Sequence, residues 1–329
     1  MKIGKLPEPV LIRSILKQVR HRREEVLAGP SVGVDCAALE VKPGEVLVMS
    51  ADPITGTVKD IGSHCIHITA NDLAASGAEP VGVMLTVLLP EAVEESEIRK
   101  MVQDAEETCR ELDMEILGGH TEITRVVSQP LISVTGVGKI RKEELLTPEK
   151  IHPGMDLVIS KWIGLEATAI LAKEREEVLA ERFSPEFIRT AKCFDQYLSV
   201  VPDARAAKAS GAAAMHDITE GGVFGALWEM ASAGGVGLDI DLRAIPIRQE
   251  TVEVCEFFGV NPYQIMSSGS MMIAAEDGQA VVSALRSAGI QGTVVGRTTD
   301  GNARILRNGD EIRYLDKPQP DELYRALEE

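Results

Sequence analysis

Three isolated carboxylates and two pairs of glycines set the chemistry open to this chain. Asp35 follows Gly33-Val34, Asp52 sits in Ala51-Asp52-Pro53, and Asp72 in Asn71-Asp72-Leu73. One glycine pair opens Gly118-Gly119-His120-Thr121; the other closes Asp217-Ile218-Thr219-Glu220-Gly221-Gly222. Single acids at the ends of apolar runs, interleaved with glycines that let backbone amides approach closely, are what a magnesium-bound polyphosphate requires. The pattern predicts an ATP-using enzyme.

The motifs differ in weight. Asp35 taken alone reads as a strand-end turn residue. Asp52 follows the apolar run Val46-Leu47-Val48-Met49 and should point its carboxylate off a strand end, where α/β proteins place ligands. Asn71 and Asp72 fall inside a helical pattern among alanines, and polar side chains there carry a propensity cost that ligand binding would explain. Gly118-Gly119 after a short strand reads as a turn able to wrap phosphate, or as a plain hairpin. Asp217 to Gly222 directly precedes a helix whose first amides would face an anion, although Asp217 or Thr219 could equally cap it. His64 and His67 share a helix face with Cys65 nearby, but no further partner completes a metal set, so they read as packing residues.

These side chains need elements to hold them. At 329 residues the chain has room for about two domains. Residues 45–50, 81–89, 116–117 and 131–137 read as strands, and residues 66–77 and 91–113 as helices; the last carries Ile98, Val102, Ala105, Cys109 and Leu112 at helical spacing. A charged, Pro-punctuated passage over residues 141–153 marks a boundary, giving residues 1–147 and 148–329. Beyond it, strands at 156–160, 238–242, 271–275 and 292–297 alternate with helices at 164–179, 185–200, 203–213, 249–258 and 279–288. Both halves are α/β.

Composition excludes several classes. The net charge of −17 repels nucleic acids and anionic membranes. The basic run from Lys17 to Arg23 reads as a solvated helix face. The longest apolar run, residues 81–89, is too short to span a bilayer. Five cysteines, odd in number and without a Cys-x-x-Cys pair, fit reduced, small buried thiols and a cytoplasmic protein.

The ordered set Val-Gly-Val-Asp-Cys-Ala (32–37), Ala-Asp-Pro (51–53), Asn-Asp-Leu-Ala-Ala-Ser-Gly-Ala-Glu-Pro (71–80), Gly-Gly-His-Thr (118–121) and Asp-Ile-Thr-Glu-Gly-Gly (217–222) resembles the superfamily of aminoimidazole ribonucleotide synthetase, selenophosphate synthetase, thiamine-monophosphate kinase and the hydrogenase maturation protein HypE. The similarity covers nearly the whole chain. It is nearest the HypE branch through Ile3-Gly4-Lys5-Leu6-Pro7 and Ile245-Pro246-Ile247-Arg248. The resemblance implies a two-domain aminoimidazole ribonucleotide synthetase-like fold, with an N-terminal mixed-sheet domain that forms a homodimer and a C-terminal α/β domain. It implies ATP and Mg2+ as cofactors, with Asp35, Asp52 and Asp72 as metal ligands and Asp72 and Asp217 as catalytic carboxylates. Asn71, Gly118, Gly119, His120, Thr121, Gly221 and Gly222 would hold the nucleotide. The shared reaction is transfer of the γ-phosphoryl group to an oxygen of a small-molecule or protein-bound acceptor. HypE proteins use a C-terminal cysteine, and none follows Cys255 here, so that particular route is not expected. A small-molecule kinase and a non-catalytic nucleotide-binding paralogue are the alternatives.

Overall fold

The structure is a computed structural model that describes residues 2–34, 36–54 and 60–328. The chain divides into two compact units, one of Met1–Ala74 and Ala78–Leu145, the other of Ala75–Gly77 and Leu146–Glu329.

The N-terminal unit contains β1 (Gly4–Lys5), β2 (Val26–Ala28), β3 (Ala38–Leu39), β4 (Glu45–Ile54), β5 (Glu79–Leu89), β6 (Glu115–Ile123) and β7 (Leu131–Arg141). Five of them form a mixed sheet in the order β1-β6-β5-β7-β4; β2 and β3 pair separately. The parallel pair β5 and β6 is joined through the helix Glu95–Glu111, as a parallel connection demands. That helix starts at a capping box between Glu94 and Glu97 and ends before Asp113, whose φ of 56° no helix tolerates. It is therefore shorter at both ends than its apolar spacing suggests.

A second helix, Ile61–Ala75, lies across the sheet. Its contact is close: a Cβ at Gly136 of β7 would stand 2.2 Å from Thr69 Cγ2, and one at Gly62 would stand 2.1 Å from the Met101 carbonyl oxygen of the neighbouring helix. Ile66, Leu73, Val83, Val134 and Ile98 fill the space between helices and sheet, each 1% exposed or less. On the opposite face of β4, Leu47 and Met49 remain 45% and 64% exposed.

The sequence reading needs correction in three places here. β4 runs on through Asp52 to Ile54, because Asp52 to Ile54 stay paired with β7; Asp52 is a mid-ladder residue, not a strand-end one. Residues 118–121 lie within the continuous strand β6 and form no turn. The basic run is not a solvated helix face either. Residues 19–23 form no helix, and although Lys17, Arg20 and Arg22 are exposed, the Arg23 side chain is only 7% exposed and pairs with Glu25, Glu79 and Asp113, while Arg22 reaches the wholly buried Glu115. These pairs, with Arg13 on Glu95, tie the N-terminal segment to the starts of β5 and β6 and to the helix Glu95–Glu111.

The C-terminal unit contains β8 (Asp156–Ser160), β9 (Ala212–Asp217), β10 (Gly237–Asp241), β11 (Met271–Ala275), β12 (Gly292–Thr299), β13 (Arg304–Asn308) and β14 (Glu311–Tyr314), ordered β14-β13-β10-β12-β8-β11-β9. Only β10 and β13 run parallel among these described pairs. One core cluster lies between this sheet and the helix Gly222–Gly234, with Leu157, Ile159, Leu227 and Ile240 at its centre. A second joins the helices Leu165–Glu174, Pro185–Lys192, Gln249–Phe257 and Glu322–Glu328. No helix among the described residues is long and apolar enough to cross a membrane.

Candidate functional site

Side chains alternate faces along a strand, so Ser50 and Asp52 of β4 look the same way, toward the helix Ile61–Ala75. Asp72, near the end of that helix, meets them. The Ser50 hydroxyl bonds Asp72 Oδ2 and also lies 3.2 Å from Asp52 Oδ2, so one hydroxyl stands between two carboxylates. Neighbouring Asn71 is wholly buried. Ser50 went unnoticed in the sequence, although its spacing of two from Asp52 in a strand was the available signal.

The donors at this point are all oxygens, which is the chemistry of a hard divalent cation that keeps several waters and takes phosphate oxygens as its remaining ligands. The residues present therefore fit magnesium. Asp35, the third expected ligand, lies outside the described residues. Among the described residues no three His, Cys, Asp or Glu side chains gather to hold a metal.

Gly118, Gly119, His120 and Thr121 line a cavity of about 520 Å³, together with Leu85 and Val87 of β5 and Val102 of the helix Glu95–Glu111. The N-terminal segment, with Lys5, Leu11 and Ile15, and the stretch that includes Gly33, Val34 and Cys36 also line it. Gly119 has φ 146°, and a Cβ there would stand 1.9 Å from the Leu85 carbonyl oxygen. Only glycine fits, because the missing side chain lets the Leu85 backbone of β5 come this close to β6. His120 points to the other face of β6, where its Nε2 lies 3.0 Å from Glu122 Oε2. Lys5 is exposed at the cavity rim.

In the C-terminal unit, Asp217 ends β9 as a buried carboxylate, its Oδ1 3.9 Å from His216 Nδ1. Gly221 and Gly222 follow with φ of 80° and 63°. A Cβ on Gly222 would meet the Tyr263 carbonyl oxygen at 2.6 Å, so glycine is required for the loop to sit on residues 263–265. The Gly221 amide, expected to face an anion, donates to Asp321 Oδ2 at 2.7 Å. The anion it meets is thus the chain's own carboxylate. Burial raises the Asp321 pKa above the ordinary carboxylate value, against the opposing pull of its backbone N–H bonds.

The thiols divide. Cys65, Cys109 and Cys255 are buried, and burial pushes Cys65 and Cys255 up to about 12. Cys36 and Cys193 are exposed, which corrects the reading of every cysteine as a buried hydrophobe.

A mixed-sheet unit that carries a paired-carboxylate site and a glycine-walled cavity, followed by a seven-stranded α/β unit, defines a two-domain α/β protein of the aminoimidazole ribonucleotide synthetase type. The chain belongs to the AIR synthase-related family: residues 33–140 match the AIR synthase related protein N-terminal domain and residues 153–307 match its C-terminal domain. It is similar to the carbamoyl dehydratase HypE of Cupriavidus necator, at 27% identity over 286 residues, or 84% of this chain and 78% of that protein. It is also similar to a putative hydrogenase expression/formation protein of Methanocaldococcus jannaschii, at 27% identity over 332 residues, or 98% and 97% of the two chains. Among solved structures, a hydrogenase maturation protein HypE in complex with ATP superposes with a TM-score of 0.81 at 19% identity, covering 98% of this chain and 97% of that one. Thiamine-monophosphate kinase from Stenotrophomonas maltophilia does so with 0.75 at 22% identity, covering 94% and 99%. The fold is the one that the family resemblance implied.

Proposed function

We propose that this chain, an ATP-dependent enzyme of the AIR synthase-related family, transfers the γ-phosphoryl group of ATP to an oxygen of a small-molecule or protein-bound acceptor. The observation that carries the reading is the convergence of Asp52 and Asp72 on the Ser50 hydroxyl.

Asp52 and Asp72 would hold magnesium on the triphosphate, with Ser50 fixing the two carboxylates relative to one another. Magnesium held there would supply positive charge to offset that developing on the transferred phosphoryl oxygens. Asn71, sealed in the helix, keeps Asp72 turned toward β4. Gly118, Gly119, His120 and Thr121 line the cavity that takes the nucleotide. Asp217 is assigned to the acceptor, and Gly221 and Gly222 shape the loop that carries it. No side-chain nucleophile is needed, because positioning and electrostatics carry phosphoryl transfer.

The relatives support the common step rather than one acceptor. The chain resembles both a carbamoyl dehydratase and a thiamine-monophosphate kinase, and a HypE of this fold has been solved in complex with ATP. A HypE has also been solved with HypF, which fits a protein-bound acceptor. The exposed Leu47 and Met49 on the outer face of an edge strand suit a homodimer interface. The free thiols suit a reducing cytoplasm.

The test is ADP release from Mg-ATP by the purified chain, compared with Asp52→Ala and Asp72→Ala. Both variants should lose turnover and keep the wild-type circular dichroism spectrum. Retained ADP production in either refutes the carboxylate assignment.

A further inference from the structure

Asp321 lies about a hundred residues beyond the 217–222 loop, yet it touches that loop directly. It is 3% exposed and accepts three backbone N–H bonds: Gly221 at 2.7 Å on Oδ2, and Met266 at 3.1 Å and Leu323 at 2.8 Å on Oδ1. One carboxylate therefore ties the turn that starts the helix Gly222–Gly234 to the segment that leads into Ser267-Ser268-Gly269-Ser270.

The two segments meet through their backbones as well. Ser267 donates to the Thr219 carbonyl at 3.3 Å, and Ile218 to that of Ser270 at 3.0 Å. The serine turn is held from the far side, where Ser268 donates to Glu166 Oε2 at 3.1 Å and Gly164 to Ser267 Oγ at 2.8 Å. Asp321 is itself fixed, since Glu322 donates to the Gln264 carbonyl at 3.3 Å and Leu323 and Ala326 are wholly buried in the second core cluster. A carboxylate with both oxygens bonded to amides of separate segments, on an anchored helix, is a rigid brace.

We propose that Asp321 is a positioning residue that fixes the Asp217 loop against the serine turn. The Gly221 amide at the start of the Gly222–Gly234 helix is taken up by this internal carboxylate, and the loop that carries Asp217 is held ready before any ligand arrives. Its link to catalysis rests on the proposed role of Asp217; the brace itself does not.

Asp321→Asn tests it, because the amide keeps the volume and one carbonyl acceptor while losing the oxygen that Gly221 uses. Amide hydrogen exchange in the full chain should show Gly221 exchanging about tenfold faster or more, with the amides of β11 unchanged. ADP release from Mg-ATP should lose kcat with KM for Mg-ATP unaltered. Asp321→Ala should show a larger exchange increase at Gly221 and Met266 that sodium formate reverses and sodium chloride does not. Unchanged Gly221 protection in Asp321→Asn overturns the proposal, as does a rise shared equally by β11 or an effect on KM alone. If the wild-type chain releases no ADP, the proposed function fails while the exchange comparison still decides the brace.

Discussion

Asp52 and Gly119 stand in one transverse row of the N-terminal sheet: Asp52 pairs with Val134, Val134 with Leu85, and Leu85 with Gly119. Three strand spacings of about 4.8 Å separate them by roughly 14 Å. The carboxylate and the cavity-lining glycine thus belong to one ladder, and their separation does not depend on any loop. Whatever disturbs that row reaches both.

Gly119→Ala should be costly for this reason. The new Cβ would overlap the Leu85 backbone, and φ of 146° disfavours any side chain. A loss of roughly 2–3 kcal/mol or more is expected in urea unfolding. A variant as stable as the wild type would mean that β6 does not approach β5 so closely.

Ser50→Ala should separate geometry from stability. Removing the shared hydroxyl leaves two carboxylates without the donor between them, so Mg-ATP affinity measured by calorimetry should fall about tenfold. The melting temperature should hardly move, since β4 is an edge strand and Ser50 is only partly buried.

Much of this was legible from sequence and some was not, for identifiable reasons. Asn71 and Asp72 stood out because polar side chains rarely interrupt an alanine-rich helix. The Glu95–Glu111 helix followed from apolar spacing and an acidic first turn. Residues 118–121 were misread because glycine pairs usually signal turns, whereas here close packing on Leu85 demands them inside a strand. Arg22 and Arg23 looked like surface charge, since their partners Glu79, Asp113 and Glu115 are distant along the chain. The hairpin of β13 and β14 carries too many charges to show a strand pattern, although Asn308-Gly309-Asp310 has the residues of a tight turn. Asp321 gave no signal at all, because its role depends on a contact that only folding creates.

The ion network around Arg23 predicts a pH effect of defined sign. The Arg23 guanidinium holds the Glu25 carboxyl down, from 4.5 to about 2, with a further bond from Lys139. A depressed folded pKa contributes stability above the unfolded value, and that contribution is lost as pH falls through about 2. Glu25→Gln should cost about 2–3 kcal/mol at pH 7, since it takes from Arg23 and Lys139 the most buried of their carboxylates, and the cost should shrink toward pH 2. Urea denaturation across that window checks it; a cost independent of pH would contradict it.

Thiol labelling reports on the cavity. In the native chain Cys36 and Cys193 should react first, and Cys65, Cys109 and Cys255 only after denaturation. Cys36 lines the cavity, so Mg-ATP should slow its labelling and leave Cys193 unaffected. Equal rates at Cys36 with and without nucleotide would place the nucleotide elsewhere.

The most direct measurement is calorimetric titration of ATP, with and without Mg2+, into the wild-type chain and into the Asp52→Asn, Asp72→Asn double variant. The paired carboxylates should make wild-type binding depend on Mg2+, and the double variant should lose that dependence while keeping its fold. Equal Mg2+-dependent affinity in both proteins would contradict the assignment of Asp52 and Asp72 to the metal-bound nucleotide.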